Sequence, residues 1–146
     1  YTALVVGEPS LSGVIDKPIG RHPKVRTKQA VVSSGKEAIS RFKKVKSLRG
    51  YSLVEVLLET GRTHQIRVHL SYLGFPIVGD NTYGGRRKYV KGTSENLRSK
   101  INQFKRQALH ASSLTFIHPS TKEVLTFDSE LPDDMKQLIR ALKEDD

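Results

Sequence analysis

A change of hydrophobic period between residues 51 and 73 is the feature that most constrains the fold of this chain. Residues 51–60 place apolar and acidic side chains at alternate positions, which is the two-residue period of a half-buried strand. Residues 63–73 instead space their apolar side chains three and four apart, which indicates a helix that Gly74 is placed to end. The apolar positions are Val54, Val56 and Leu58 in the strand and Ile66, Leu70 and Leu73 in the helix. A strand must therefore turn directly into a helix near Gly61.

The remaining segments predict more strands than helices. Further strands are expected at Tyr1–Gly7, Lys28–Val32, Ala38–Val45, Leu109–Ile117 and Glu123–Phe127. Residues 8–27 contain three prolines and two glycines and are predicted as a loop, with room for a short extended piece at Gly13–Ile15. Residues 86–106 are basic and weakly periodic, so a mobile loop is expected, and a final helix begins at Pro132. The predicted fold is α+β, with a mostly antiparallel mixed sheet flanked by helices.

The net charge of +10 is unevenly distributed along the 146 residues. Residues 17–49 contain eleven Lys and Arg against one acid, and residues 86–106 contain eight against one. Residues 121–146 carry eight acids against four bases. Two basic segments beside an acidic end indicate a patch for a polyanion, and a solvated basic surface is the plainer alternative.

Several classes of protein are disfavoured by what the sequence lacks. No stretch approaches the roughly 18 apolar residues of a membrane span, and no leader-like segment is visible. The absence of cysteine removes disulfides and thiolate metal sites, and a cytoplasmic protein is expected. His64 and His69 are five positions apart, which does not aim two imidazoles of a helix at one ion, so no metal is expected.

The junction between the predicted strand and helix concentrates polar side chains within eight residues: Arg62, His64, Gln65, Arg67 and His69. Backbone N–H groups at the start of a helix favour anions, and arginine adds bidentate reach to a phosphate or a carboxylate. Arg67 lies one turn inside, beside apolar neighbours, where a partly buried guanidinium needs a carboxylate partner. Two interpretations stay open on these grounds. Arg67 belongs to an anion-binding site, or it forms a structural ion pair with Glu59 or Asp80.

The motif LETGRTHQIRVHL, followed by LGFPIVGD-x-x-YGG, resembles the signature of the RluA-type pseudouridine synthases. YTALVVG, IDKPIGRHPK and RQALHASSLTFIHP agree with that family as well, so the resemblance spans essentially all 146 residues. It implies a pseudouridine-synthase-like fold and an RNA-modifying isomerase that needs no cofactor. The similarity is greatest to the branch that modifies large-subunit ribosomal RNA, with transfer RNA as another possible partner.

The resemblance also implies roles for individual residues. Tyr1 matches the active-site tyrosine that stacks on the uracil, and Arg67 matches the arginine that pairs with the catalytic aspartate. Arg62, His64 and Gln65 would lie at the pocket mouth near the RNA, and Leu109 would form the apolar floor. Lys24, Arg26, Lys28 and the basic 86–106 loop would contact the RNA backbone.

One part of the family pattern is missing from these residues. The catalytic aspartate of the family lies in an HRLD-like motif upstream of the tyrosine strand, and no aspartate here has that context. The chain is therefore expected to be the C-terminal part of one catalytic domain, incomplete at its N-terminus and inactive by itself. The alternatives are a non-catalytic RNA-binding module on a degenerate synthase domain and a basic anion-binding domain unrelated to RNA.

Overall fold

The computed structural model describes residues 1–84 and 89–144. Its nine strands and three helices follow one another in chain order. They are β1 (Thr2–Val6), β2 (Ser12–Asp16), β3 (Ile19–Arg21), β4 (Gln29–Val31), β5 (Ile39–Leu48), β6 (Tyr51–Leu58), α1 (Gln65–Tyr72), α2 (Glu95–Gln103), β7 (Leu109–His110), β8 (Ser113–Ile117), β9 (Val124–Asp128) and α3 (Asp133–Glu144). The helices of the described residues are all too short and too polar to cross a membrane.

Five strands form the central sheet in the order β2-β5-β6-β1-β7. The pairings within it are antiparallel, with Val54 and Leu109 on either side of Ala3. Strands β3 and β4 form one separate antiparallel hairpin, and β8 and β9 form another. The predicted α+β architecture with a mostly antiparallel sheet is therefore confirmed.

The core lies where β1, β5 and β6 meet the apolar faces of the helices. Helix α3 supplies five buried side chains on one face: Met135, Leu138, Ile139, Ala141 and Leu142. Pro132 precedes this helix, and Asp133 and Asp134 occupy its first turn, where the partial positive charge of a helix start favours acids. The final helix that the sequence predicts is confirmed.

The predicted loop over residues 8–27 is wrong at Ile19–Arg21, which forms β3, whereas the short extended piece expected at Gly13–Ile15 is confirmed as β2. The glycine that suggested a turn has a packing role instead. A Cβ atom added to Gly13 would lie 2.6 Å from the ring of Phe42 on the neighbouring strand. Gly13 therefore lets β2 approach that ring closely, and close approach of this kind is a common reason for a glycine inside a strand.

The mobile loop predicted over residues 86–106 is wrong for residues 95–103, which form α2. Ser94 caps this helix by accepting a hydrogen bond from the Leu97 amide at 3.1 Å. Only Leu97 and Ile101 of α2 are buried, so its apolar stripe is too narrow to raise a clear helical period. Residues 85–88 lie outside the described residues, and mobility of the segment stays a prediction.

The strand predicted at Leu109–Ile117 is divided by the structure into two pieces with different partners. β7 extends the central sheet beside β1, whereas β8 pairs with β9. This division brings Leu109 to the sheet edge next to the first residues of the chain.

Candidate active site

An open cleft of about 310 Å³ lies where the end of β6 meets the start of α1. Its lining residues are Tyr1, Leu58, Arg62, His64, Gln65, Ile66, Arg67, Gln107 and Leu109. The sheet order explains this gathering, because β6, β1 and β7 are neighbours. The amide of Val56 donates to the carbonyl of Tyr1 at 2.8 Å, which holds the tyrosine beside the end of β6.

The cleft brings together six of the nine site residues expected from the sequence. Tyr1 contributes a ring that is 40% exposed, and Leu109 contributes an apolar side chain from β7. Arg62 is anchored by its Nε, which donates to the Glu37 carbonyl at 2.7 Å. These placements agree with the expected positions, while the roles of the residues stay predictions.

The three basic residues expected to contact RNA do not line the cleft. Lys24, Arg26 and Lys28 lie in the turn of the β3–β4 hairpin, where the Nδ1 atom of His22 accepts from the Lys24 amide at 3.1 Å. The hairpin nevertheless lies near the cleft, because helix α1 packs against β4. These three basic residues therefore belong to a hairpin near the cleft and not to the cleft lining.

Arg67 has its carboxylate partner within this chain. Its Nε and Nη2 atoms donate to the two oxygens of Asp80, each at 2.9 Å. The side chains are 14% and 1% exposed respectively. The expectation that Arg67 lacks a carboxylate partner within these residues is therefore wrong, because the structural ion pair with Asp80 is present, while the expected pairing with a catalytic aspartate stays a prediction. Among the described residues, Nη1 of Arg67 has no hydrogen-bond partner.

The pair between Arg67 and Asp80 is ionised. Burial raises the pKa of the Asp80 carboxyl, but hydrogen bonds from Arg67 and from the amides of Tyr83 and Thr82 outweigh burial and hold that pKa below its usual range. The same hydrogen bond from the guanidinium to Asp80 raises the pKa of Arg67. These hydrogen bonds and the opposite charge of Arg67 offset the free-energy cost of burying the Asp80 carboxylate.

Tyr83 is a neighbour of the cleft to which the sequence analysis assigned no role. The guanidinium carbon of Arg67 lies 4.9 Å from the centroid of its ring. Its hydroxyl lies 2.7 Å from Nδ1 of His64, and the two rings meet edge to face. The signal that could have identified it is the spacing from Asp80, because an aspartate accepts readily from the amides two and three residues ahead.

His64 occupies a backbone conformation that is unusual for a residue with a side chain. It precedes the first residue of α1 with φ 55° and ψ 25°, in the left-handed region. Burial lowers the pKa of its imidazole, and the positive charge of Arg67 lowers it further, while Asp80 acts in the opposite direction. Burial and the charge of Arg67 therefore both favour the neutral imidazole.

Gln65 is buried rather than exposed at the cleft mouth, with 2% of its surface accessible. Its amide nitrogen donates to the Ile39 carbonyl at 3.0 Å and to the Ser40 hydroxyl at 2.9 Å. Its amide oxygen accepts from the Thr60 hydroxyl at 2.7 Å and from the Arg62 amide at 3.0 Å. These four bonds use its whole hydrogen-bonding capacity. The structure corrects the expected RNA contact of Gln65, which instead ties the strand-to-helix junction to β5.

His69 has a structural role on the buried side of α1. Its Nε2 atom lies 2.9 Å from the Lys17 carbonyl, which can only accept, and its Nδ1 atom lies 2.7 Å from the Ser40 hydroxyl. Burial lowers the pKa of this imidazole, although the bond to Lys17 raises it. A neutral ring with the proton on Nε2 satisfies both contacts.

Replacing Gln65 by alanine is expected to lower the free energy of unfolding by about 2–3 kcal/mol, because the Arg62 amide and the Ile39 carbonyl lose their buried partner. Gln103→Ala is the matched control, since Gln103 is exposed on α2 and should change stability by less than about 0.5 kcal/mol. Urea unfolding of both variants tests this. Equal losses in the two variants would contradict the structural role of Gln65.

The described residues offer no group of three His, Asp or Glu side chains that could hold a metal ion. The described cleft lining offers an aromatic ring, two arginines and an imidazole, together with the apolar side chains of Leu58, Ile66 and Leu109. Such a set can stack on a base and donate hydrogen bonds to anionic or carbonyl oxygens.

Comparison with known proteins relates this cleft to one family. The family model described as RNA pseudouridylate synthase matches residues 1–72. Ribosomal large subunit pseudouridine synthase D of Vibrio cholerae is 48% identical over 145 residues, covering 99% of this chain and 45% of that protein. The protein of the same name from Xanthomonas campestris is 45% identical, with coverage of 99% and 44%. The chain thus spans less than half the length of these relatives.

Solved structures share the fold. Human RNA Pseudouridylate Synthase Domain Containing 4 superposes with a TM-score of 0.72 and 27% identity, covering 97% of this chain and 60% of that one. Human RNA Pseudouridylate Synthase Domain Containing 1 has a TM-score of 0.70 and 25% identity, with coverage of 98% and 64%. The predicted pseudouridine-synthase-like fold is confirmed. Similarity that runs through nearly the whole sequence, on a shared fold, establishes that the chain belongs to the RNA pseudouridylate synthase family, among its RluA-type members.

Proposed function

We propose that this chain forms part of an enzyme that isomerises uridine to pseudouridine in structured RNA. The observation that carries the proposal is the shared cleft of Tyr1 and Arg67, two residues that come from distant parts of the sequence. Large-subunit ribosomal RNA is the proposed substrate, since the relatives from Vibrio and Xanthomonas are named for it. A ribosomal substrate in turn implies the cytoplasm.

The reaction exchanges one bond of the uridine for another. The N1–C1′ glycosidic bond breaks, the uracil turns, and a C5–C1′ bond forms, while C5 loses a proton and N1 gains one. A target inside a helix must first be flipped out of its stack. The exposed ring of Tyr1 would hold the freed uracil by stacking, which is worth on the order of 1–3 kcal/mol per base, and Leu109 would lie beneath it. Because every bond and proton is exchanged within the uridine and with water, the reaction needs no redox group and no energy source.

Arg67 would contribute a fixed positive charge to the cleft. Because Asp80 accepts one N–H from Nε and one from Nη2, the N–H groups of Nη1 and the second N–H of Nη2 are left to donate to a substrate oxygen or to a carboxylate nucleophile. Preorganised donors of this kind stabilise charge that develops in the transition state. Arg62, which also lines the cleft, would bind a phosphate beside the flipped nucleotide.

The carboxylate nucleophile of this reaction is proposed to come from outside the 146 residues, in an HRLD-like segment. The cleft lining contains no aspartate or glutamate. Asp80 is the nearest carboxylate to Arg67, but its side chain is 1% exposed and both oxygens already accept hydrogen bonds. A nucleophile must reach the ribose, and Asp80 cannot do so from that position.

RNA would be held mainly through its phosphates. Lys24 and Arg26 are exposed on the β3–β4 hairpin beside the cleft, and Lys28 is half-buried there. Contacts of this class position the RNA without reading its sequence, and they weaken with added salt.

A non-catalytic RNA-binding module is the second candidate function. The absence of a carboxylate from the described cleft lining is the observation that favours it. The two functions differ in what the surrounding reading frame encodes. An HRLD-like strand and turn upstream of Tyr1 supports the enzyme, and its absence supports the binding module.

Release of tritium from C5-labelled uridine in ribosomal RNA tests the proposed activity. The 146 residues alone are expected to release none, and the protein that includes the HRLD-like segment is expected to release it. The same protein with that aspartate changed to asparagine is the control for a contaminating synthase. Turnover by the 146 residues alone would place the nucleophile within them and contradict the proposal.

A further inference from the structure

Tyr83 connects the main polar groups of the cleft without lining the cleft itself. Hydrogen bonds at its amide and at its carbonyl fix the position of its backbone. The Tyr83 amide donates to Oδ1 of Asp80 at 3.1 Å, and its carbonyl accepts from the hydroxyl of Ser71 at 2.6 Å. The backbone of Tyr83 is therefore held by α1 on one side and by the Asp80 turn on the other.

The hydroxyl of Tyr83 has two hydrogen-bond contacts, and the direction of the one from Gln29 is fixed. The amide of Gln29 donates to this oxygen at 3.1 Å, because a backbone N–H can only donate. The hydroxyl proton is then free to donate to Nδ1 of His64 at 2.7 Å. A neutral His64 that accepts at Nδ1 must carry its own proton on Nε2.

The Nε2–H group of His64 has no acceptor among the described residues, although the ring lines the cleft. The left-handed backbone of His64 is a conformation of the kind that the surrounding contacts must hold in place. Tyr83 supplies two such contacts, the hydrogen bond and the edge-to-face packing with ring centroids 5.5 Å apart.

The same ring of Tyr83 also restrains Arg67. The guanidinium carbon lies 4.9 Å from the ring centroid, while Asp80 holds two of its nitrogens. A stacked and doubly bonded guanidinium has little freedom to rotate. Tyr83 thus touches two of the cleft side chains that have an unused donor, His64 and Arg67.

We propose that Tyr83 is a positioning residue. It holds His64 as the Nε2–H tautomer and restricts the rotation of the Arg67 guanidinium. Each of these two side chains then presents a fixed donor to an acceptor oxygen of the bound RNA. The part of the proposal that concerns RNA rests on the proposed function. The part that concerns the tautomer of His64 does not depend on turnover.

Nitrogen-15 NMR of the histidine rings tests the tautomer in the 146-residue chain, at a pH above the usual histidine range. His64 is expected to show an unprotonated Nδ1 and a protonated Nε2, and His64→Gly identifies its signals without straining the left-handed backbone. Tyr83→Phe removes the hydroxyl but keeps the ring, and is expected to shift both nitrogens of His64 toward an average of the two tautomers. An unchanged His64 spectrum in Tyr83→Phe would overturn the proposal.

A double-mutant cycle tests whether Tyr83 acts on RNA binding through His64. Tyr83→Phe is expected to weaken binding of a structured ribosomal RNA about fivefold in the native background, and less than about twofold in the His64→Gly background. Equal effects in the two backgrounds would overturn the proposal. Tyr72→Phe is the matched control, because Tyr72 is exposed on α1 and its hydroxyl has no partner in the described part of the chain.

The outcomes separate this proposal from the proposed function. A changed tautomer and a coupled loss of binding, in a full-length protein that releases no tritium, would support Tyr83 as a positioning residue and reject the isomerase. Tritium release together with independent effects of Tyr83 and His64 on RNA binding would support the isomerase and reject Tyr83 as a positioning residue. Thermal unfolding of each variant shows whether it folds. Tyr83→Leu is compared with Tyr83→Phe, since only the phenylalanine preserves the stacking on Arg67.

Discussion

Replacing Arg67 by alanine in the full-length enzyme is expected to lower turnover at least about a hundredfold, while RNA affinity falls by less than about threefold. The reason is that the mostly buried guanidinium of Arg67 is the proposed donor to the transition state, whereas the proposed phosphate contacts come from more exposed residues. Single-turnover tritium release and equilibrium binding of the same RNA provide the two measurements. An equal loss of binding would assign Arg67 to the phosphate contacts instead.

This substitution also removes the partner of Asp80, so a stability effect must be separated from a catalytic one. The double variant Arg67→Ala with Asp80→Asn neutralises the stranded carboxyl, and the asparagine oxygen can still accept from the amides of Thr82 and Tyr83. The double variant is expected to recover part of the stability and none of the turnover. Recovered turnover would mean that Arg67 serves only to balance the charge of Asp80.

Replacing Asp80 alone by asparagine is expected to lower the free energy of unfolding by about 3 kcal/mol at neutral pH. The change leaves the mostly buried guanidinium of Arg67 without its counter-charge, and breaking one side of a buried ion pair costs about 3–5 kcal/mol. Asp134→Asn is the matched control. Asp134 forms a bidentate pair with Arg106 at 3.0 Å, but the two side chains are 48% and 40% exposed, so a loss below about 1 kcal/mol is expected.

The Asp80 pair also predicts a pH dependence of stability. Its hydrogen bonds hold the pKa of the folded carboxyl below the value of an unfolded aspartate, despite the opposing effect of burial. The stabilisation is therefore complete above the unfolded pKa of about 3.9 and is lost as the pH falls through the lower folded pKa. Urea unfolding between neutral and acid pH should show a steeper fall for the native chain than for Asp80→Asn. Parallel curves would contradict this contribution.

Local patterns in the sequence were sufficient for most of the elements. The strand-to-helix junction near Gly61, the helix that begins after Pro132 and the hairpin at residues 113–128 all lie close to where period and turn residues predict them. Helix α2 was missed because its two buried side chains, Leu97 and Ile101, make too narrow a stripe to separate from a polar loop. The short extended piece expected at Gly13–Ile15 is β2, in which Gly13 makes room for the ring of Phe42.

The sequence predicted which residues form the candidate site better than it predicted which residues they contact. The family motif identified Tyr1, Arg62, His64, Arg67 and Leu109, and all five line one cleft. It did not reveal that Gln65 is buried with its amide fully used, because burial depends on how β5 passes behind the junction. Nor did it identify Tyr83 as the contact between His64 and Arg67.

Alternation, helical spacing and one long motif established that the chain is α+β and that an arginine one turn into α1 needs a carboxylate. These properties are local, since they depend on residues a few positions apart. The identity of that carboxylate was decided by the tertiary structure, which folds Asp80 back onto α1 and leaves one nitrogen of Arg67 facing an otherwise acid-free cleft among the described residues. Contacts between residues 13 positions apart depend on the path of the intervening turn, and charge alone made Glu59 and Asp80 equally good partners.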